Sequence, residues 1–438
     1  MHEIEIEEIM EAVERHHELY RNALPLIASE NVTSEDVRIL LASDLSHRYA
    51  EGEVGARFYQ GCEYIDAIEG RAIKWARELF RAEHVNLKPV SGVNANIAAL
   101  FALTSPGDRM MALSVPDGGH ISHSAYSVPG LRGLKLEQIP FDPKEMNIDI
   151  DRAERAIRAT KPKLILLGAS LFLFPHPIRE LLTAADEVDA TLLYDASHVL
   201  GLIAGNRFQD PLREGADVVT SSTHKTFPGP QGALILCKGA LSDRIDRAVF
   251  PGTVSNHHLH HIAGLAVALR EMMHFGEAYA AQIQSNAKAL AQALYEAGFN
   301  VLCEHKGFTE SHQIAIDVRG LGGGARVAKR LEEAYIITNK NMLPFDKEPD
   351  SPSGIRLGVQ ELTRTGMKEP EMIEIASLMR RLLMEEEPAT KVRNDVMALK
   401  KEFQNVHYSF DGGLAYRNPA SRNKKTKINN KRTKWKYL

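Results

Sequence analysis

Between residues 85 and 240, short runs of strand character alternate with segments of helical period, and this alternation limits the fold more than any other feature of the chain. The runs are MMALSV (110–115), KLILLGAS (163–170), ATLLYDAS (190–197), DVVTSST (217–223) and ALILCKG (233–239). Between them lie NANIAALFAL (94–103), DRAERAIRAT (151–160) and IRELLTAADEV (178–188), whose apolar residues recur at helical spacing. Near-continuous apolar strands separated by amphipathic helices predict an α/β sheet, mostly parallel and covered on both faces. From about 260 to 299 the pattern turns long and helical, in AGLAVALREMM and NAKALAQALYEAG. Strands return as NVLCEH (300–305), HQIAIDV (312–318) and IITNK (336–340), alternating with VAKRLEEA (327–334) and MIEIASLMRRLLMEEE (372–387). That predicts a smaller α/β unit of three or four strands, joined to the first by a long helix near 260–290. The N-terminal stretch sets Ile4, Ile6, Ile9 and Met10 among acids, as a weakly amphipathic helical arm.

Composition excludes several other classes. With 44% hydrophobic and 25% charged residues the chain is globular rather than disordered or collagenous. No uncharged apolar run approaches the ~18 residues that span a bilayer, and the acidic N-terminus does not read as a signal peptide. Cys62, Cys237 and Cys303 stand far apart without a C-x-x-C pair, which fits a reducing cytoplasm rather than a disulfide scaffold or zinc cluster. The charge is uneven. Residues 421–438 hold eight Lys or Arg and no acid, leaving the rest with 45 bases against 57 acids.

In open α/β sheets ligands bind beyond the carboxyl ends of the strands. Three of these strands end in polar residues that a core does not need: Ser170, then Asp195 and His198, then Ser222, Thr223, His224 and Lys225. An Asp and a Lys, each closing a buried strand, can serve pyridoxal phosphate. The Lys anchors the cofactor and the Asp pairs with its pyridinium nitrogen. In KPVSGVNANIAALF, Ser91 and Gly92 open a helix whose free N–H groups suit a phosphate. Two rival motifs point elsewhere. GLGGGA (320–325) follows a strand and opens a helix in the dinucleotide pattern, but in the smaller unit, where a plain glycine loop accounts for it. NHHLHH (256–261) sets His257 and His261 at i, i+4, without the carboxylate that a zinc triad needs, and is read as binding no metal.

Taken together, LIASEN (26–31), RYAEG (48–52), FYQGCEYID (58–66), GGHISH (118–123), STHKT (222–226), NKNMLPFD (339–346) and SGIRLG (353–358) fall in the order seen in serine hydroxymethyltransferases. The chain most resembles the archaeal branch, through SVPDGGHISH, FQDPLREGA and the FPG and VSNHHLHH segments, over roughly residues 20–412. The resemblance implies a fold-type I, aspartate-aminotransferase-like pyridoxal phosphate transferase, a homodimer or tetramer with sites between subunits. Its implied organisation is an arm and inter-subunit segment at 1–60, a large cofactor-binding domain at 61–280, a small C-terminal α/β domain at 281–412 and a basic tail at 413–438, read as disordered. The implied reaction is reversible transfer of the hydroxymethyl carbon of L-serine to a tetrahydropterin, giving glycine and the methylene-pterin, in one-carbon metabolism and amino-acid biosynthesis.

By the same resemblance, Lys225 carries the cofactor covalently, Asp195 meets the pyridine nitrogen and His120 stacks on the ring. His198 and Ser170 border its phenolic edge. Ser91, Gly92 and His224 hold the phosphate, with Tyr49 from a neighbouring subunit. Arg356 clamps the amino acid carboxylate near Ser29. Glu51 is the acid–base group at the serine hydroxymethyl, beside Tyr59. Val115, Gly119, His120, Ile121 and Asn341 match the pterin contacts. The chain departs from the family pattern at Phe58-Tyr59 (usually two tyrosines), at SGVN, at Asp117 and at EPDSP (348–352), which leaves tetrahydrofolate and tetrahydromethanopterin both open as carrier. The alternative reading is a pterin-independent aldolase or transaldolase acting on threonine-like β-hydroxy amino acids. Nucleic acid is a partner only through the tail, where Trp435 and Tyr437 stand among the bases.

Overall fold

The computed structural model describes residues 2–417. Of the tail read as disordered at 413–438, residues 418–438 lie outside the described residues, whereas Ala415 and Tyr416 are buried against Val32 and Val406, so the ordered chain runs past the expected boundary at 412. Along the chain run helix α1 (His2–Asn22), α2 (Glu63–Phe80), strand β1 (His84–Asn86), α3 (Gly92–Leu103), β2 (Arg109–Ala112), β3 (Lys135–Gln138), α4 (Ile150–Thr160), β4 (Leu164–Leu167), α5 (Ile178–Glu187), β5 (Thr191–Asp195), β6 (Val218–Ser222) and β7 (Ala233–Cys237). These seven strands form one sheet in the order β1-β7-β6-β5-β4-β2-β3. Strands β3, β2, β4, β5 and β6 are parallel, and β7 runs antiparallel to both of its neighbours.

Every residue of β4, β6 and β7 is buried, as a central sheet covered on both faces requires, including Thr220, Ser221 and Ser222 at the end of β6. Alternate residues serve opposite cores. Ile165, Leu167, Leu192 and Tyr194 pack with α4 and α5 on one face. Leu164, Leu166, Leu193 and Val218 pack with Ala95, Ala99 and Leu103 of α3 on the other. Each such leucine or isoleucine contributes roughly 1.5–3 kcal/mol.

The long helix is α6 (Leu259–Glu296). Beyond it, β8 (Asn300–Val301), β9 (Gln313–Asp317), helix α7 (Gly324–Glu333), β10 (Asn339–Asn341), β11 (Gly354–Gly358) and α8 (Glu369–Leu383) build a four-stranded antiparallel sheet in the order β8-β9-β11-β10. Leu24 and Pro25, just past α1, pair in parallel with Ile336 and Ile337, tying the arm to this unit. No helix among the described residues is long and apolar enough to cross a membrane.

Three local expectations change. The NVLCEH strand stops after Val301, because Cys303 takes a left-handed backbone (φ 61°) and leads into a turn at Glu304–Lys306. IITNK splits between the Leu24 pairing and β10. His257 and His261 do not share a helix face, since α6 starts only at Leu259. The GLGGGA segment is a tight turn: Gly322 and Gly323 have positive φ, and a Cβ on Gly324 would meet the Gly354 carbonyl at 2.2 Å.

Candidate active site

Because β4, β5 and β6 are parallel neighbours, their carboxyl ends open side by side, and the loops that follow surround a cavity of about 340 Å3. Its lining includes Ser29, Ser91, Gly92, His120, Ser170, Asp195, His198, His224 and Lys225. A second cavity of about 290 Å3 shares Ser29, His120, Ser170, His198 and Lys225 with it and adds Val115, Gly119, Ile121, Asn341 and Arg356. The close fit of the strand ends depends on Gly168, where φ is +108° and a Cβ would meet the Asp195 carbonyl at 2.2 Å.

Asp195 closes β5 and is fixed from three sides. Its Oδ2 accepts from His123 Nε2 at 3.0 Å and Asn96 Nδ2 at 2.8 Å, and its Oδ1 from the Ser197 backbone N–H at 3.0 Å. Thr220 Oγ1 donates to Asn96 Oδ1 at 2.6 Å, which orients that amide. Burial alone would favour the neutral acid, but these donors hold the carboxyl well below the usual carboxylate range. His123, Asn96 and Ser197 were absent from the sequence reading. The signal available was HISH itself, which sets two histidines three residues apart in one loop.

Lys225, just beyond β6, is half-buried, and desolvation pushes its amine down to about 8, with Asp195 raising it and Arg356 lowering it. Its backbone carbonyl accepts from Asn31 Nδ2 at 2.6 Å, which ties the lysine to the LIASEN segment. His120 has Nδ1 engaged by the Ser122 N–H at 3.1 Å, and burial lowers it to about 4, so the ring is neutral at physiological pH. His198 Nδ1 accepts from Gln313 Nε2 at 2.8 Å, leaving its proton on Nε2. Gln313 is itself oriented by the Phe172 N–H on its Oε1 at 2.8 Å.

Arg356 rises from β11 of the smaller sheet into the second cavity. Its Nη1 donates to the Ser170 carbonyl at 2.6 Å, and Nε and Nη2 each stand 3.4 Å from Asn339 Oδ1. Burial lowers it to about 10, so it keeps its charge at neutral pH. The Arg356 fork is thus aimed and available to a carboxylate.

The residues fit pyridoxal phosphate. At the mouth of α3, Ser91 caps the helix by accepting from the Asn94 N–H at 3.2 Å. Gly92 leaves a cradle there, since a Cβ would stand 3.1 Å from Ser222 Oγ and 3.3 Å from Ser197 Oγ. His224 Nδ1 is buried without a hydrogen-bond partner, on the lining of the same cavity. A helix N-terminus, hydroxyls and an unsatisfied histidine suit a phosphate; an ionised Asp suits a pyridinium; a buried amine suits the aldehyde.

Tyr49, Glu51 and Tyr59 stand apart from this group. None of them lines either cavity. Glu51 accepts from Ser255 Oγ, while Tyr49 and Tyr59 are 55% and 44% exposed with their rings 5.4 Å apart. At NHHLHH, His257 Nε2 meets Glu69 Oε2 at 2.9 Å and His261 Nδ1 meets the Gln231 carbonyl.

Comparison with known proteins follows the same lines. The family model described as serine hydroxymethyltransferase matches residues 3–379. A serine hydroxymethyltransferase of Methanocella arvoryzae is 59% identical over 414 residues, covering 94% of this chain and 98% of the relative. That of Methanocaldococcus jannaschii is 59% identical, covering 92% and 95%, and that of Archaeoglobus fulgidus 55%, covering 94% of each. Among solved structures, L-threonine transaldolase from Pseudomonas fluorescens superposes with a TM-score of 0.86 at 30% identity, covering 94% of this chain and 96% of the other.

Proposed function

The chain belongs to the serine hydroxymethyltransferase family of pyridoxal phosphate enzymes, and on that premise we propose that it moves the hydroxymethyl carbon of L-serine onto a reduced pterin, leaving glycine. The observation that carries the reading is the joining of two cavities through Ser29, His120, Ser170, His198 and Lys225. One holds the residues that suit the cofactor, the other the five positions matched to the pterin, with Arg356 on its wall.

Bound there, pyridoxal phosphate supplies an electron sink for the bonds at the substrate's Cα. The chain does the rest. Asp195, kept ionised by His123, Asn96 and Ser197, holds the proton of the ring nitrogen in place. Lys225 would anchor the cofactor, and its amine, with its lowered pKa, would suit proton transfer at Cα. His120 presents a neutral ring for stacking, and His198 offers its Nε2 proton at the ring edge beside Ser170. Ser91, Gly92 and His224 take the phosphate. Arg356 binds the serine carboxylate beside Ser29, and that contact orients Cα.

Glu51 transfers the proton at the serine hydroxyl, with Tyr59 next to it and Tyr49 serving the phosphate, all three from the partner subunit. Their distance from the chain's own cavities supports a homodimer with shared sites, as do the exposed rings of Phe58 and Tyr64 around them. The division at 60, 280 and 412 follows the same scheme, with the seven-stranded sheet in the large domain and the four-stranded sheet in the small one. All three cysteines are buried free thiols, which suits a cytoplasmic enzyme.

The transaldolase likeness favours a second reading, cleavage of threonine-like β-hydroxy amino acids without a pterin. Adding glycine and then tetrahydrofolate or tetrahydromethanopterin in separate cuvettes distinguishes the two. A long-wavelength absorbance band that grows with one carrier supports the transferase and names its pterin. A yellow protein indifferent to both favours the transaldolase-like reaction.

A further inference from the structure

The hairpin that carries Glu51 rests on a buried ion cluster that none of the roles above uses. Gly52–Glu53 pairs antiparallel with Ala56–Arg57. Gly52 has φ +99°, and a Cβ there would meet the Ala56 carbonyl at 2.5 Å, so the hairpin closes only around glycine. Arg57 folds back beneath it. Its Nη1 donates to the carbonyls of Ala50 at 2.7 Å and Gly52 at 2.9 Å, the two that flank Glu51. Its Nε donates to Asp66 Oδ1 at 2.7 Å and its Nη2 to Glu69 Oε2 at 2.7 Å, both on α2.

The circuit closes from the other side. Glu69 Oε2 also accepts from His257 Nε2 at 2.9 Å. Two residues before His257, Ser255 Oγ donates to Glu51 Oε1. Between them, Asn256 Oδ1 accepts from the Ala50 N–H at 3.0 Å. The backbone around Glu51 and its carboxyl are therefore held by two arms, and both arms end on one oxygen of Glu69.

We propose that Glu69 and His257 are positioning residues for Glu51, setting through Arg57 and the 255–257 segment where its carboxyl is presented to serine. The inference rests on the reading of Glu51 as the acid–base group. The cluster is buried almost completely, with side-chain exposures of 3% for Arg57 and 1% each for Glu69 and His257. Buried ion pairs of this kind contribute little net stability, because desolvation offsets attraction. Both donors converge on Oε2 and leave Glu69 Oε1 without a hydrogen-bond partner, an arrangement that a purely stabilising role does not require. What the cluster supplies is geometry, and a misplacement of ~1 Å at a reacting group costs on the order of 100-fold in rate.

The test compares holoenzymes carrying His257→Leu, His257→Gln, Glu69→Gln and Glu51→Gln. His257→Leu and Glu69→Gln are expected to lower kcat for pterin-dependent serine turnover by roughly 10- to 100-fold, while cofactor absorbance and serine and glycine dissociation constants stay within about twofold of the parent. His257→Gln, whose amide reaches the place of Nε2, recovers most of kcat. Should His257→Leu not fold, the isosteric Glu69→Gln decides. Parental kcat in both variants, or loss of amino acid binding in step with kcat, overturns the proposal. Glu51→Gln separates the two levels: turnover retained there refutes the reading of Glu51 itself, whereas an inactive Glu51→Gln beside a fully active Glu69→Gln refutes only the positioning.

Discussion

His123 Nε2 lies 3.0 Å from Asp195 Oδ2, across 72 residues of sequence, and holds ionised the one carboxylate in the cofactor cavity. Asp195 has a depressed pKa in the fold. Its contribution to stability is therefore complete above the ordinary carboxyl value of 3.8 and is lost as pH falls below it. His123→Leu removes one of the three donors to a buried carboxylate, at a cost of about 1.5–3 kcal/mol. Thermal melts should show the largest gap between parent and variant at neutral pH, and a gap that narrows below pH ~4. A gap independent of pH would mean that His123 does not act through Asp195.

Lys225 is also shifted down, which for an amine favours the uncharged form. Burial favours its neutral amine, with a pKa of about 8 against 10.5 unfolded. Between those values the folded apoprotein binds fewer protons than the unfolded chain, so stability rises with pH across that window and the full cost of the buried charge is felt below it. Covalent capture of pyridoxal phosphate by the apoprotein needs the neutral amine. Its rate should rise with pH to a plateau with a midpoint near 8. Arg356→Ala should move that midpoint up and Asp195→Asn should move it down, as followed by visible absorbance. A rate still climbing through pH 10 would contradict the shift.

In the proposed reaction Arg356 would meet the substrate carboxylate as a planar fork. Arg356→Lys keeps charge but not the paired donors, and Arg356→Ala loses both. With charge-assisted bonds contributing about 1.5–3 kcal/mol each, Arg356→Ala should lower kcat/KM for serine by 100-fold or more, and Arg356→Lys by roughly 10-fold. Steady-state kinetics on cofactor-saturated enzyme would read the order of the two.

The proposed sharing of sites between subunits makes a separate prediction. Glu51→Gln and Arg356→Ala homodimers should each be nearly inactive. Mixed and allowed to exchange subunits, they should regain roughly a quarter of parental sites, because each mixed dimer has one site with both residues intact. A mixture as inactive as its components would place Glu51 and Arg356 in the same subunit's site.

How much of this was legible follows from burial. Strands β4 and β7 could be read because they are apolar along their whole length and β5 and β6 because each carries a short apolar run, and Lys225 and Asp195 because polar residues at the ends of such strands need a reason. The edge strands His84–Asn86 and Lys135–Gln138 were missed: they are short, and three of the four residues from Lys135 to Gln138 are exposed, so no apolar pattern marks them. Asn96 sits inside an apolar helix and looks like an interruption until Asp195 and Thr220 are brought to it. Gln313 begins β9 and gains its meaning only from His198 and Phe172, more than 100 residues away. Such partners are set by tertiary contact, and no local period carries them. The Glu69–His257 pair is the same case, hidden because NHHLHH draws attention to its own spacing rather than to α2.

The most direct test follows the carbon itself. Serine labelled with 13C at C3 is incubated with the cofactor-loaded enzyme and each reduced pterin in turn, and the label is traced by NMR. Glycine is expected to form in step with label entering the methylene-pterin, with turnover negligible when no pterin is present. Glycine formed at the same rate without any pterin, or label that never reaches the carrier, would contradict it.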